Sequence, residues 1–295
     1  MKGDIMAYAV DNAIIMAAGT SSRFAPLSYE IPKALIDVRG EVLIERQIKQ
    51  LKEAGLKEII LVTGYKKEQF EYLQKKFGVR IIENPEYLTR NNNGSIYAVR
   101  EYLHNSYICS SDNYFTINPF ETTVDDGYYA AVYSEGDTAE WCMTEDSEGY
   151  IDSVTIGGRD SWYMLGHAFW DEKFSSRFID ILEDIYDLPE TVDMLWEKIY
   201  MQHLDVLKLR MRRYGDNDIF EFDTLDELRQ FDESYVNDTR SAILKSLAEK
   251  LSCSESDMTG LTAVKTADNA AAGVRFKALG RNYEYIYETM ELKEF

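Results

Sequence analysis

The chain has 295 residues, 45% of them hydrophobic and 13% aromatic, enough to build one large α/β domain with an appendage or two modest domains. Its formal net charge of −20 sets up a field that repels nucleic-acid backbones and anionic membranes, so neither is an expected partner, whereas a cationic ligand is favoured. Cys109, Cys142 and Cys253 show no CxxC spacing and three histidines cannot supply a zinc cluster or a histidine-based triad, so the expected setting is a reducing cytoplasm.

Asp4 and Asp11 interrupt the apolar residues of the N-terminus and Lys2 supplies its positive charge, a pattern that does not read as a signal peptide. No uncharged run approaches the roughly 20 residues that span a bilayer. From Asn12 to Asp112, apolar runs alternate with amphipathic stretches. Ala13–Ala17 reads as a buried strand, and Val42–Ala54 as a helix with Leu43, Ile44, Ile48 and Leu51 on one face. Glu58–Val62, Arg80–Glu83 and Tyr107–Ser111 read as further strands, with helices over Lys66–Lys76 and Ser95–Tyr102 between them. This alternation predicts an α/β fold: a Rossmann-like mixed, mostly parallel sheet flanked by helices, with ligands at the carboxyl ends of its strands.

Past Asp112 shorter strands are expected at Tyr128–Tyr133, Trp141–Thr144, Ile151–Thr155 and Met164–Trp170, then helices at Ser175–Tyr186 and Val192–Met201. Val206–Leu209 and Ile219–Phe222 return to strand character, and Thr224–Tyr235 is a charged amphipathic helix. The expected division is a main domain over 1–235 and a small C-terminal segment over 236–295. That segment holds a helix at Arg240–Leu251 and a hairpin of Val274–Leu279 with Tyr283–Tyr287, closed by Gly280-Arg281-Asn282.

The first strand runs into Ala17-Ala18-Gly19-Thr20-Ser21-Ser22-Arg23, and Pro32-Lys33-Ala34-Leu35 follows. A small-residue loop after a parallel strand lets backbone N–H groups approach phosphate oxygens, and Arg23 and Lys33 supply the charge a transferring phosphoryl group requires. The loop matches neither the dinucleotide pattern GxGxxG nor the Walker pattern GxxxxGK[ST]. Singly, Gly19 is a turn glycine and each cation a solvated charge; their joint placement after a first strand favours phosphate binding. Asp112 follows an apolar strand, while Glu221 and Asp223 alternate with Phe220 and Phe222 at another. Asp112 and Asp223 are the candidate ligands for Mg²⁺, which takes hard oxygens. The competing readings are a turn residue for Asp112 and a helix N-cap for Asp223.

The run IIMAAGTSSRFAPLSYEIPKALIDV resembles the signature of nucleoside-triphosphate transferases, with Ser21 where a second glycine usually stands. Further matches, VTGYKKEQFEYLQKKFGVRIIENPEY, NNNGSIYAVREYL, SSDNYF, EW, GHAFWD, TVDMLWE and IFEFDTLDEL, are similar in order and spacing to bacterial phosphocholine cytidylyltransferases of the Lic type, over about Asn12 to Tyr235. The resemblance implies a nucleotide-diphospho-sugar-transferase type of fold and a Mg²⁺-dependent attack on the α-phosphate of CTP by phosphocholine. It implies nucleotide contacts at Ala18, Gly19, Lys33, Asn92 and Ser95, to which Ala17, Thr20, Ser21, Ser22 and Asp112 are added from the loop and strand end. Arg23, Lys33 and Asp112 are the expected catalytic residues, and Asp112 and Asp223 the metal ligands.

A quaternary ammonium must be recognised by ring faces and carboxylates. The tryptophan of EW, Trp141, maps to the choline pocket of the resembled family, and Trp170, Asp193, Trp196 and Glu221 complete the acceptor candidates. For Trp170 and Trp196 a core role at strand or helix spacing competes. Leu195 stands where an aromatic is expected, which keeps 2-aminoethylphosphonate or a sugar-1-phosphate as alternative acceptors. A non-catalytic nucleotide-binding regulator is the alternative from another class, disfavoured because both the basic loop and the carboxylates are present. Residues 236–295 weakly resemble the opening of choline-kinase-like domains but are too short for a kinase site, so no kinase activity is expected. A homodimer is compatible with this reading.

Overall fold

The computed structural model describes residues 7–266 and 270–295. Residues 1–6, with the Lys2 and Asp4 of the signal-peptide expectation, and residues 267–269 of the C-terminal stretch lie outside the described residues. The chain forms two compact units, one of Met1–Gly19 with Ile44–Glu221, the other of Thr20–Leu43 with Phe222–Phe295. The division differs from the expected 1–235 and 236–295. Residues 20–43 and 222–235 group with the C-terminal segment, because the turn at Ser22–Phe24 packs on the strand Thr259–Lys265. Among the described residues no helix is long and apolar enough to cross a membrane.

The first unit is built on a seven-stranded sheet. In chain order its strands are β1 (Asn12–Ala17), β2 (Glu58–Thr63), β3 (Arg80–Glu83), β4 (Ser106–Ser110), β5 (Tyr128–Glu145), β6 (Ile151–Trp170) and β7 (Arg210–Arg213); their spatial order is β7-β5-β6-β4-β1-β2-β3. β1 pairs parallel with β2 and with β4, β2 with β3, and β5 with β7, while β6 runs antiparallel to β5 and β4. The sheet is therefore mixed and mostly parallel, as its strand–helix alternation predicts. Strand order reverses at β1, so the switch point that binds ligands in open α/β sheets falls between the carboxyl ends of β1 and β4. Those ends carry Ala17–Gly19 and Asp112.

The central strands are apolar on both faces because both faces are covered. Ile14, Ile60, Val62 and Ile108 join a core with Ile96 of α3 (Asn92–Ala98), Phe174, Phe178 and Leu182 of α4 (Glu172–Ile185), and Trp196, Ile199 and Tyr200 of α5 (Trp196–Met201). Residues of opposite parity, Ile15, Leu61 and Cys109, are as deeply buried, as are Ile44, Ile48 and Leu51 of α1 (Leu43–Glu53) and Leu73 of α2 (Tyr72–Phe77). The four short strands expected past Asp112 are two long ones, β5 and β6, paired over 18 and 20 residues. Register shifts at Tyr129/Ala131, Ser134/Asp137 and Thr138/Trp141 break the period-2 pattern, which is why the sequence looks like separate pieces. The strand expected at Val206–Leu209 is a turn whose Leu207 and Leu209 are buried. The strand follows it as the arginine-rich Arg210–Arg213, at the sheet edge.

The second unit holds α6 (Leu225–Phe231), α7 (Ala242–Leu251) and a four-stranded antiparallel sheet of β8 (Thr259–Lys265), β9 (Ala271–Ala278), β10 (Arg281–Ile286) and β11 (Glu291–Glu294) in sequential order. The expected hairpin is the β9–β10 pair. Its loop is two residues, Leu279 and Gly280, both at positive φ, with Ala278 opposite Arg281. The flanking β8 and β11 were not expected. Leu244, Leu247, Met258, Val274 and Phe276 supply the buried apolar residues of this unit.

Gly64, just after β2, is a test of packing. A Cβ there would lie 2.6 Å from both Cβ and Cγ of Tyr87, atoms too near the backbone to swing away. Gly64→Ala is expected to destabilise the protein by about 1–3 kcal/mol, the usual cost of overpacking, read as a lower midpoint in denaturant unfolding.

Candidate active site

In the first unit the switch point is held by helix α1 rather than by the strands alone. Gln47 Nε2 donates to Ser110 O at 3.0 Å, and Gln50 Nε2 and Arg46 Nη2 donate to Phe115 O at 3.1 and 2.9 Å. These bonds clamp both sides of the turn that carries Asp112, a half-buried residue between β4 and the short strand Asn113–Phe115. That strand pairs with Ile219–Glu221, and Asn113 Nδ2 donates to Glu221 Oε2 at 3.2 Å. The polar face of α1, silent in the sequence beyond helical periodicity, is thus the frame of the aspartate turn. Gly19 has nothing within 4 Å of the position a Cβ would take and an ordinary φ, so its missing side chain leaves open space rather than relieving strain.

In the second unit the loop continues through Thr20 to Ser21, whose φ of 48° and ψ of 43° are left-handed, a conformation that suits glycine and accounts for the glycine usual there. Asp223 faces both cations of the signature. Arg23 Nη1 lies 2.6 Å from Asp223 Oδ2, and Lys33 Nζ lies 3.8 Å from Oδ1. Lys33 has 5% of its side chain exposed and Arg23 72%. Asp223 is not the helix cap. Thr224 takes that place, accepting Glu227 N at 3.2 Å, while Glu227 reaches back to accept Asp223 N at 2.7 Å. The expected strand Ile219–Phe222 ends at Glu221, and Phe222 packs on Phe231 at 4.9 Å, so the alternation of Glu221 and Asp223 on one strand face is not realised.

Several candidates in the first unit serve the scaffold. Asn92 Oδ1 accepts Trp196 N at 2.7 Å and its Nδ2 donates to Glu197 Oε2 at 3.1 Å, so the side-chain amide is engaged at the start of α5. Asn91 Nδ2 donates to Asp193 O and Asn93 Nδ2 to Thr191 O and Met194 O. Three consecutive asparagines therefore bracket residues 191–197. Ser95 Oγ accepts Asn84 Nδ2 at 3.2 Å in a buried pair. Trp170 and Trp196 are fully buried, 4.9 Å apart edge to face, against Phe174, Phe178 and Tyr200. No ring face of either is left for a ligand, which corrects their expected acceptor role.

Trp141 is half-buried, packed against the core from the middle of β5, and Asp193 is exposed. Trp162, in the same arm, already has the Arg213 guanidinium 5.2 Å from its ring centroid. Tyr129 and Glu197, which sequence did not single out, and Tyr163 and Glu140, aromatic and acidic candidates for a cationic headgroup in sequence, gather near Glu221. Burial raises the Tyr129 hydroxyl well above its usual range, reinforced by Glu197 and Glu221. Burial likewise raises Tyr163, reinforced by Glu140, Glu221 and Asp216. Glu197 accepts from Asn92 and Tyr129, and withdrawal from water pushes its carboxyl up to about 7. The fold thus collects acids and ring faces at one end of the first unit. A separate cleft of about 700 Å³, lined by Tyr8, Asp126, Tyr150, Asp171, Lys173 and Lys208, opens beside the amino end of β4, away from Asp112.

Magnesium fits the donors by type. The carboxylates of Asp112, in the first unit, and of Asp223, in the second, each offer the hard oxygens that Mg²⁺ takes, and among the described residues no group of three or more His, Cys, Asp or Glu could hold a metal ion.

The MobA-like NTP transferase domain matches residues 13–117. The chain is 34% identical over 226 residues to a choline-phosphate cytidylyltransferase of Streptococcus pneumoniae, covering 77% of this chain and 99% of that one. It is 35% identical over 239 residues to a 2-aminoethylphosphonate cytidylyltransferase of Lancefieldella rimae, covering 78% and 95%. A solved structure of the Streptococcus pneumoniae CTP:phosphocholine cytidylyltransferase superposes with a TM-score of 0.73 over 77% of this chain and 99% of that one. The inositol-1-phosphate CTP transferase of T. maritima, 16% identical with a TM-score of 0.58, shares the fold. This chain belongs to the bacterial cytidylyltransferase family of nucleotidyltransferases that these enzymes represent.

Proposed function

We propose that the protein is a Mg²⁺-dependent cytidylyltransferase that joins phosphocholine to the cytidylyl group of CTP, giving CDP-choline and pyrophosphate. A phosphate oxygen of the acceptor attacks the α-phosphorus in line, the bond to the bridging oxygen breaks, and pyrophosphate carries away the electron pair; no covalent enzyme intermediate is required. Both reactants are anionic, so alignment and charge neutralisation dominate the catalytic task. The observation that carries the reading is the pairing of Asp223 with Arg23 and Lys33, which orders two cations on the signature loop. Arg23 and Lys33 would neutralise phosphate oxygens, and the N–H groups of the loop from Ala17 to Ser22 would hold them, with Gly19 open to close approach. Mg²⁺, held by Asp112 and Asp223, would supply further charge neutralisation on the triphosphate.

The acceptor's cation is assigned to the acidic, aromatic end of the first unit. Trp141, Tyr129, Glu197 and Glu221 are the groups there that suit an ammonium. The name of the Lancefieldella rimae relative keeps 2-aminoethylphosphonate as the second reading, favoured by Leu195 in place of an aromatic. The setting that goes with this activity is the cytoplasm, in keeping with three free thiols.

Pyrophosphate release, measured with CTP, Mg²⁺ and a panel of acceptors, decides between these. Phosphocholine is expected to give the highest kcat/KM and Asp112→Asn to lower turnover by at least about 10³-fold without shifting the unfolding midpoint. Preference for UTP or dTTP with a sugar phosphate would defeat the proposal. Asp112 is the cleaner probe of the two carboxylates, because Asp223→Asn also strips a countercharge from buried Lys33.

Gly19→Ala is expected to fold normally, since the new methyl meets nothing, yet to raise KM for CTP about tenfold or more by obstructing phosphate approach. Wild-type CTP kinetics in that variant would remove the loop from the nucleotide site.

The raised carboxyl of Glu197 gives a pH signature. Below about 7 the group is protonated and offers no charge to an ammonium; above it the carboxylate forms, and a bound cation favours that form. Acceptor KM is therefore expected to fall between pH 6 and 8 in the wild type. The Glu197→Gln variant serves as control for the acceptor's own phosphate ionisation and is expected to lack this component. Parallel pH profiles in the two proteins would show that Glu197 does not read the headgroup.

A further inference from the structure

The motif resemblance ends near Tyr235, and the Streptococcus pneumoniae enzyme is covered to 99% by 226 aligned residues, so the residues beyond have no evident counterpart there. In this chain they share a compact unit with the signature loop, and they are bonded to it on both sides of its cations. Tyr29, between Arg23 and Lys33 in sequence, stacks on Tyr287 with ring centroids 4.1 Å apart at 25°. The next residue, Glu30, accepts Ile243 N of α7 through Oε1 at 3.2 Å. Arg240 Nη1 donates to Asp37 O at 3.0 Å and to its Oδ1 at 3.1 Å, and β8 runs against the turn Ser22–Phe24 that contains Arg23.

The carboxylate partner of those cations is tied to the same segment. Asp223 leads into α6, where Arg229 is 9% exposed and donates to Glu255 O and Met258 O, both at 2.7 Å. Asp226 Oδ2 accepts Gly260 N at 2.9 Å. A guanidinium buried against main-chain carbonyls is costly to leave unpaired, so α6 and residues 255–260 are locked together.

The helix at Leu27–Glu30 is a single turn and cannot hold its own orientation; tertiary contacts must do so. Ordering a loop costs conformational entropy, and contacts already present in the free protein relieve ligand binding of that cost. We propose that residues 236–295 are a positioning brace for the phosphate-binding loop: Tyr287, Arg240 and the start of α7 hold the segment of Arg23 and Lys33, while residues 255–260 hold the helix behind Asp223. These are positioning residues, since they act through the loop. The proposal rests on the nucleotide reading of that loop for its kinetic consequence, though not for its mechanical one.

The test uses the full-length chain with Tyr287→Ala and Tyr287→Phe, the latter keeping the stacked ring. Hydrogen exchange followed by mass spectrometry reads residues 20–43 against strands 58–63 and 106–110, and steady-state kinetics read CTP and acceptor separately. Tyr287→Ala is expected to quicken exchange in 20–43 alone. It should also lower kcat/KM for CTP by about tenfold with acceptor KM unchanged, the scale of loss that misplacing a reacting group brings. Tyr287→Phe should restore both. Unchanged exchange in 20–43, unchanged CTP kinetics despite faster exchange, or failure of Tyr287→Phe to rescue each overturns the brace. If Tyr287→Ala loses protection throughout the sheet, Arg240→Met, which leaves the stack intact, is read by the same criteria. Absence of CTP turnover in the wild type would strike the nucleotide reading, while the exchange measurements still decide the brace.

Discussion

An ammonium withdrawn from water must face a countercharge, and this constraint organises the signature loop. Lys33 keeps 5% of its side chain exposed, and Asp223, brought from nearly 200 residues away in sequence, faces it. The same carboxylate takes Arg23, which is largely exposed. One aspartate thus orders two cations of different character, a buried one and a largely exposed one. The local structure around Asp223 protects this arrangement. Thr224 and Glu227 satisfy the start of α6 between them, so the aspartate is not consumed as a cap.

The parts of the fold legible in sequence are those where burial on both faces leaves an unambiguous signal. Ile14–Ile15 and Ile59–Val62 are continuous apolar runs because their strands are covered on two sides, and the residues that end such strands are where an open α/β sheet exposes its chemistry. The strand-end positions of Gly19 and Asp112 could therefore be read without contacts. The roles of Gln47, Gln50 and Arg46 could not, because a polar helix face looks the same whether it meets solvent or the carbonyls of a distant turn. The asparagines show a second role that sequence does not reveal. Asn92 is a nucleotide contact only by what the resemblance implies; in the fold its amide, with those of Asn91 and Asn93, holds residues 191–197.

Trp170 and Trp196 illustrate why aromatic residues mislead. A ring suits a cation and a core equally, and only burial separates the two; both tryptophans spend their faces on each other and on Phe174, Phe178 and Tyr200. The β5–β6 arm was fragmented in sequence for a different reason. Repeated register shifts interrupt the alternation, and over residues 134–141 no side chain is fully buried, so little period-2 signal remains to join its pieces.

Charge ties these observations to substrate chemistry. A net charge of −20 looks at first like generic solubility, and for most surface acids it is. Its local pattern is more specific. The signature loop carries Arg23 and Lys33 over a single aspartate, whereas Glu140, Asp216, Glu197 and Glu221 act on two tyrosines of the first unit, the buried Tyr129 and the half-buried Tyr163. A sugar phosphate offers such acids hydroxyl donors but no positive charge. An ammonium brings the charge that such acids neutralise. The same acids that attract an ammonium repel a second anion, so the preference would owe as much to rejection as to attraction.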